Sequence, residues 1–198
     1  MAIVVPFRGD AAKQRLEAPA AGRARLALAM LGDVVTACVA TARTVVVTSD
    51  RDAAALVLEL GAEVRRDPGG GQAAAVGAAL AELPEEPVLV VNADVPCVVP
   101  HDLRTLAGTA ELGAIGLVEA GDGTTNALAL PSPTAFAPVF GPGSADRFRA
   151  HAAALGVEAV AAAIPNLTHD VDTIEDLDAL ALRAGPRTQA ALSKLWAA

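Results

Sequence analysis

Asp94 follows an apolar run, Val88 to Val91, and stands immediately before Val95 and Pro96. A carboxylate at the mouth of a hydrophobic strand risks losing part of its hydration, which is costly unless donors or a cation compensate it. Two more acids stand in HDVDTIEDL, residues 169–177. In extended backbone, residues two apart project to the same side, so Asp170 and Asp172 point together. Taken alone, that pair reads as solvated turn aspartates ahead of a helix, with Thr173 as cap and Asp176 as its capping-box partner. Joined to Asp94, it makes three carboxylates near strand ends. Such a set suits a hard cation such as Mg²⁺, which takes oxygen ligands and bridges substrate phosphates; without a cation the three would repel one another.

Other groups carry complementary charge. The segment PFRGDAAKQRL supplies Arg8, Lys13 and Arg15, three cations within eight residues of an acidic chain, and suits a phosphate-binding loop as well as an ordinary solvated helix start. In FGPGSADRFRAH, Gly141, Pro142 and Gly143 form a tight turn and Ser144 is a favourable helix N-cap, where amides and helix dipole attract an anion. Arg147 and Arg149 either add charge there or face water. Thr124, Thr125 and Asn126 begin a strand and either meet an anionic substrate or belong to a hairpin turn. His101, His151 and His169 share no metal or triad spacing, and neither a Walker motif nor a strand-linked GxGxxG occurs.

These groups need a frame. Short apolar or β-branched runs at 2–6, 44–49, 62–67, 87–93, 113–120 and 126–131 read as strands. Helical stretches read at 22–42, 51–61, 71–83, 100–110, 144–156 and 173–185, with 157–163 ambiguous and the tail from 185 to 198 a short helix or mobile. Strands alternating with long helices predict an α/β fold: strands paired in parallel through crossover helices, helices on both faces of the sheet, and ligands outside the carboxyl ends of its strands. The 198 residues fit one ordinary domain. The composition is 53% hydrophobic and the net charge −8, which argues for a globular chain and against a duplex nucleic-acid partner. No stretch reads as a membrane span or cleavable signal, so a cytoplasmic protein is expected. Cys38 and Cys97 have no CxxC spacing and read as small apolar filler.

Taken in order, AAKQRL, RARLALAMLGDVV, VVNADVP, GTTNALAL, FGPGSADRFRAH and HDVDTIEDLDAL resemble the phospholactate/phosphoenolpyruvate guanylyltransferases of coenzyme F420 biosynthesis, over nearly the whole chain. FGPGS and DVDTxEDL are the most specific pieces; AKxRL and DxP occur in wider nucleotidyltransferase relatives. The resemblance implies a single nucleotidyltransferase domain, 1–198, of Rossmann-like, GT-A-like fold, with a mixed, mostly parallel sheet and helices on both faces. It implies use of GTP and Mg²⁺ to guanylylate a three-carbon phosphoacid, with release of pyrophosphate. By it, Asp94, Asp170 and Asp172 match metal-binding aspartates, with Asp94 catalytic; Thr125, Gly141 and Ser144 match positions that hold the phosphoacid. Lys13 and Arg15 match the basic catalytic loop that meets the triphosphate, and Arg8, Gly71 and Gln72 lie with them on the nucleotide side. Two departures fall on that side. The loop between Arg8 and Lys13 is one residue shorter than usual and contains Asp10. GGGQAAAVGAAL carries Gln72 and Ala73 where many relatives have Leu-Asn.

Two alternatives stay open from the residues: a nucleotidyltransferase for another phosphorylated acceptor, of molybdopterin or sugar-phosphate type, and a non-catalytic nucleotide-binding protein on the same fold. The expected partners are GTP and a small phosphoacid, with neither nucleic acid nor membrane. Oligomeric state is unreadable, and a homodimer is open.

Overall fold

The computed structural model describes residues 1–9 and 20–196. Seven strands form one sheet in the order β3-β2-β1-β4-β6-β5-β7. β1 (Ala2–Pro6), β2 (Arg43–Val47), β3 (Glu63–Arg65) and β4 (Val88–Val91) pair in parallel. β6 (Thr125–Leu130) runs antiparallel to both β4 and β5 (Ile115–Glu119), and β7 (Ala159–Ala161) closes the edge parallel to β5. The expected mixed, mostly parallel sheet is therefore found, and the ambiguous stretch 157–163 contains its edge strand.

The reversal of β6 brings two kinds of strand terminus together. Val91 pairs with Ala127, so the start of β6, at Thr125 and Asn126, lies at the carboxyl end of β4. Chemistry-bearing residues from one strand's end and from another strand's start thus meet on one rim.

Strand alternation sends side chains to two cores. Ile3, Val5, Leu89 and Val91 pack with α1 (Ala20–Val39), α2 (Arg51–Glu59) and α4 (Pro100–Glu111). Val4, Val45, Val88 and Val90 pack on the other face with α3 (Gln72–Leu80) and α5 (Ser144–Leu155), where Phe148 is buried. Buried apolar area of this kind contributes about 25 cal/mol per Å². Cys38 and Cys97 are free, buried thiols, and burial pushes both thiol pKa values up, which fits the filler role.

A third cluster joins the chain's end to its start. Leu26 and Met30 of α1 pack with Val171, with Leu177 and Leu180 of α7 (Ile174–Leu180) and with Leu192 of α8 (Pro186–Trp196). The expected helix 173–185 stops earlier than its pattern suggests, and a turn leads into α8. Asp33 of α1 caps α8: its carboxylate accepts the amides of Arg187 (3.1 Å) and Thr188 (2.8 Å). The tail is thus a docked helix of 11 residues.

Candidate functional site

Asp94 leaves β4 at its carboxyl end, and its backbone carbonyl accepts the amide of Val171 at 3.0 Å. Val171 is fully buried. With that residue turned into the core, the pleat throws Asp170 and Asp172 the other way, toward Asp94. One carboxylate oxygen from each of Asp94, Asp170 and Asp172 lies within 4.8 Å of the others, and all three residues are half-buried. Asp176 accepts the amides of Asp172 (3.0 Å) and Thr173 (2.8 Å), and the Thr173 hydroxyl accepts the Asp176 amide at 3.2 Å. This is the capping box expected from the sequence, and it ends the acidic segment at a rigid helix start.

The electrostatics agree with the geometry. Burial, and then the charge of Asp94, push the Asp170 pKa up, while a bond from Asn126 opposes the shift and Asp172 adds to it. Three oxygens of one sign this close form a donor set that a hard divalent cation fits.

Two cavities meet at this cluster. One, of ≈ 540 Å³, is walled by Asp94, Asp170 and Asp172 together with Thr125, Gly141 and Ser144. The other is walled by Phe7, Arg8, Ala27 and Met30 and also reaches Asp94. Gln72, Asn92 and Asp94 line both. The structure therefore brings Thr125, Gly141 and Ser144 together on one side of the acids and Arg8 on the other, with Gln72 on the wall that both sides share. Gly71 does not line either cavity; it precedes α3 with φ +97, a left-handed conformation that an L side chain rarely adopts. Lys13 and Arg15 lie outside the described residues.

Ser144 differs from its expected role. Gly143, at φ 67, takes the N-cap position of α5, and Ser144 is the first helical residue. Its hydroxyl, fully buried, donates to Thr125 Oγ1 at 3.0 Å. A hydroxyl that accepts one bond keeps its own hydrogen to give, so Thr125 can still donate to an anion. The amides of Ser144 and Ala145 donate to the carbonyls of Gly141 (2.9 Å) and Gly123 (3.3 Å). The helix start therefore acts more through its hydroxyl pair than through those two amides. Arg147 and Arg149 also resolve. Arg147 donates to the carbonyls of Val139, Phe140 and Pro142, and so braces the loop that carries Gly141. Arg149 pairs with Glu119 and Asp146.

Sequence reasoning named Gln72 and Asn126 but missed Asn92, which joins them in the polar floor of the site. Asn92 Oδ1 accepts from Gln72 Nε2 at 2.7 Å, and Asn92 Nδ2 donates to the Thr125 carbonyl at 3.3 Å. Asn126 is 1% exposed and Asn92 half-buried, positions that asparagine rarely occupies without partners. The available signal for Asn92 was its place two residues before Asp94, hence on the same side of an extended strand end.

Comparison with known proteins bears on this site. Residues 1–195 match the family described as "Guanylyl transferase CofC like". A phosphoenolpyruvate guanylyltransferase of Streptomyces scabiei is 41% identical over 98% of this chain and 96% of that protein. The phosphoenolpyruvate guanylyltransferase of Thermomonospora curvata is 39% identical over 98% and 89%. Among solved structures, a nucleotidyl transferase from Methanothermobacter thermautotrophicus superposes with a TM-score of 0.68 at 19% identity, covering 98% of both chains. A 4-diphosphocytidyl-2C-methyl-D-erythritol synthase does so with a TM-score of 0.64 at 17% identity, covering 92% of this chain and 96% of that one. The structural matches establish a nucleotidyl transferase fold.

Proposed function

We propose, from the premise that this chain belongs to the CofC-like guanylyl transferase family, that it transfers GMP from GTP to phosphoenolpyruvate, or to the related 2-phospho-L-lactate, and releases pyrophosphate, as a step of coenzyme F420 biosynthesis. The observation that carries this reading is the convergence of Asp94, Asp170 and Asp172 at the wall shared by two cavities. Two anionic substrates need such a junction, where positive charge can be held between them. The Streptomyces and Thermomonospora relatives support phosphoenolpyruvate as the first acceptor to test.

The acceptor's phosphate oxygen attacks the α-phosphorus of GTP, a new P–O bond forms, and the bond to the β-phosphate oxygen breaks to free pyrophosphate. The acceptor phosphate, with a second pKa of about 6, is mostly dianionic at neutral pH and needs no general base. That matches a junction lined by carboxylates and amides, with no histidine on either wall among the described residues. Thr125, Gly141 and Ser144 bind and orient the phosphoacid so that its phosphate enters in line. Arg8 and Gln72 face the nucleotide, and Lys13 and Arg15 neutralise the triphosphate. Asp94, Asp170 and Asp172 would hold a divalent cation, Mg²⁺ in this proposal. When bound, that cation neutralises charge between the substrates and on the departing pyrophosphate.

A pyrophosphate-release assay over GTP, ATP, CTP and UTP, each with phosphoenolpyruvate, 2-phospho-L-lactate, phosphoglycerate or a sugar phosphate, tests this. Turnover is expected with GTP and a three-carbon phosphoacid, and is expected to stop on adding EDTA. Turnover confined to a sugar phosphate or another nucleotide, or GTP binding with no turnover on any acceptor, would refute it.

A further inference from the structure

The side-chain amide of Asn126 sits among three acceptors. Its Nδ2 donates to the carbonyls of Leu167 (3.1 Å) and Thr168 (3.2 Å) and to Asp170 Oδ1 (3.2 Å). Its Oδ1 faces the other way, toward Asn92 Nδ2 at 3.5 Å, and its own carbonyl accepts the Asn92 amide at 2.9 Å. Asn92 in turn accepts from Gln72 at 2.7 Å. The orientation of each amide follows from the next: an amide has one donating end, and three acceptors fill the space where that end of Asn126 lies. Asn126 is 1% exposed, so water does not compete for these bonds. Leu167 and Thr168 end a short helical turn, α6 (Pro165–Thr168), whose last carbonyls have no intrahelical partner. Asn126 thus ties both the end of that turn and the first acid beyond it to β6.

We infer that Asn126 is a positioning residue of the acidic cluster: it holds the Asp170 carboxylate facing Asp94 and Asp172, in the arrangement a divalent cation requires, and orders that carboxylate before the cation arrives. Like charges would otherwise turn Asp170 away from its two neighbours. The neutral NH₂ group draws it inward without itself competing as a ligand. An aspartate in this place would add a fourth anion, and a serine would be too short to reach all three acceptors. This inference rests on the proposed cation site.

Its test reads metal binding directly. Mn²⁺ is titrated into metal-free protein, and the free ion is followed by electron paramagnetic resonance. Wild type is expected to bind. Folded Asn126→Ser is expected to bind with a Kd raised about 10- to 100-fold, the usual cost of removing a residue that orients a metal ligand. At saturating Mn²⁺ its KM for phosphoenolpyruvate should stay within about 3-fold of wild type, since Asn126 orients a metal ligand and not the acceptor. A folded variant with a Mn²⁺ Kd within about two-fold of wild type overturns the inference and leaves the proposed function standing. Failure of wild type to bind Mn²⁺ overturns both. Should Asn126→Ser fail to fold, wild type with ¹⁵N-asparagine answers instead. Its three asparagines are Asn92, Asn126 and Asn166. The Asn126 side-chain amide, identified by its proximity to residues 167 and 168, should shift on adding Mg²⁺ more than that of Asn166, which bonds Asp102 and Arg183. Equal shifts would overturn the inference.

Discussion

The two sides of the cleft are built differently. On the side of Thr125 and Ser144, side-chain bonds hold the wall: Ser144 to Thr125, Asn126 to Asp170, and Arg147, behind the wall, to the loop carrying Gly141. On the side of Arg8, the wall is largely apolar, with Phe7, Ala27 and Met30, and Gly9 adds backbone at positive φ; the Gln72–Asn92 bond belongs to both sides. In the proposed reaction the two substrates would account for the difference. A three-carbon acid offers few atoms, so discrimination needs preset donors. A nucleotide triphosphate offers many, and backbone amides with long cationic side chains suffice to grip it.

Substitutions on either side test this contrast. Asp94→Asn lies at the junction and should fail on both sides. Turnover should fall at least about 10³-fold, as for loss of a central charge-stabilising group, with an unchanged circular dichroism spectrum. Turnover near the wild-type rate would remove Asp94 from the chemistry. Ser144→Ala should raise the KM for phosphoenolpyruvate about 10-fold, corresponding to about 1.4 kcal/mol for one buried bond, and leave the KM for GTP nearly unchanged. Equal increases for both substrates would erase the division between the walls. Gly71→Ala should do the reverse but more weakly. Nothing lies within 4 Å of the added methyl group, so the effect is conformational strain at φ +97. A GTP KM raised about 3- to 5-fold, with acceptor KM unchanged, is expected from strain of about 1 kcal/mol. The smallest effect is on stability. The Asp170 pKa is raised in the folded protein, first by burial and then by Asp94. A raised carboxyl contributes stability that is complete below its unfolded pKa and is lost as pH rises through its folded pKa. In metal-free protein the contribution of Asp170 should therefore fall as pH rises above about 4, and Asp170→Asn should remove that component of the pH slope in denaturant melts. A slope equal in both proteins would mean that Asp170 is not the group responsible.

Much of the architecture was legible beforehand. β1 was readable to its ends because five consecutive buried residues leave one interpretation. The Thr173–Asp176 box was readable because its chemistry is local, three residues apart. Asp170 and Asp172 could be paired because residues two apart in extended backbone project together, and Asp94 could be joined to them because it too stands near a strand end. The long-range partners were not legible. Nothing near Asn126 in sequence announces Asp170, and nothing near Asp33 announces the amides of α8. Ser144 looked like a cap because its type suits one. The glycine before it took that place, which freed the serine hydroxyl to turn inward toward Thr125.

Asp33 stands one turn beyond Met30 on the same helix, and Met30 lines the cavity that reaches Arg8. The final helix is therefore a brace on the helix that walls that cavity, although none of its own residues borders it. Shortening the protein by this segment would be felt at a distance: α1 would lose its clasp at Asp33, and Val171, set between two of the acids, would lose a packing partner.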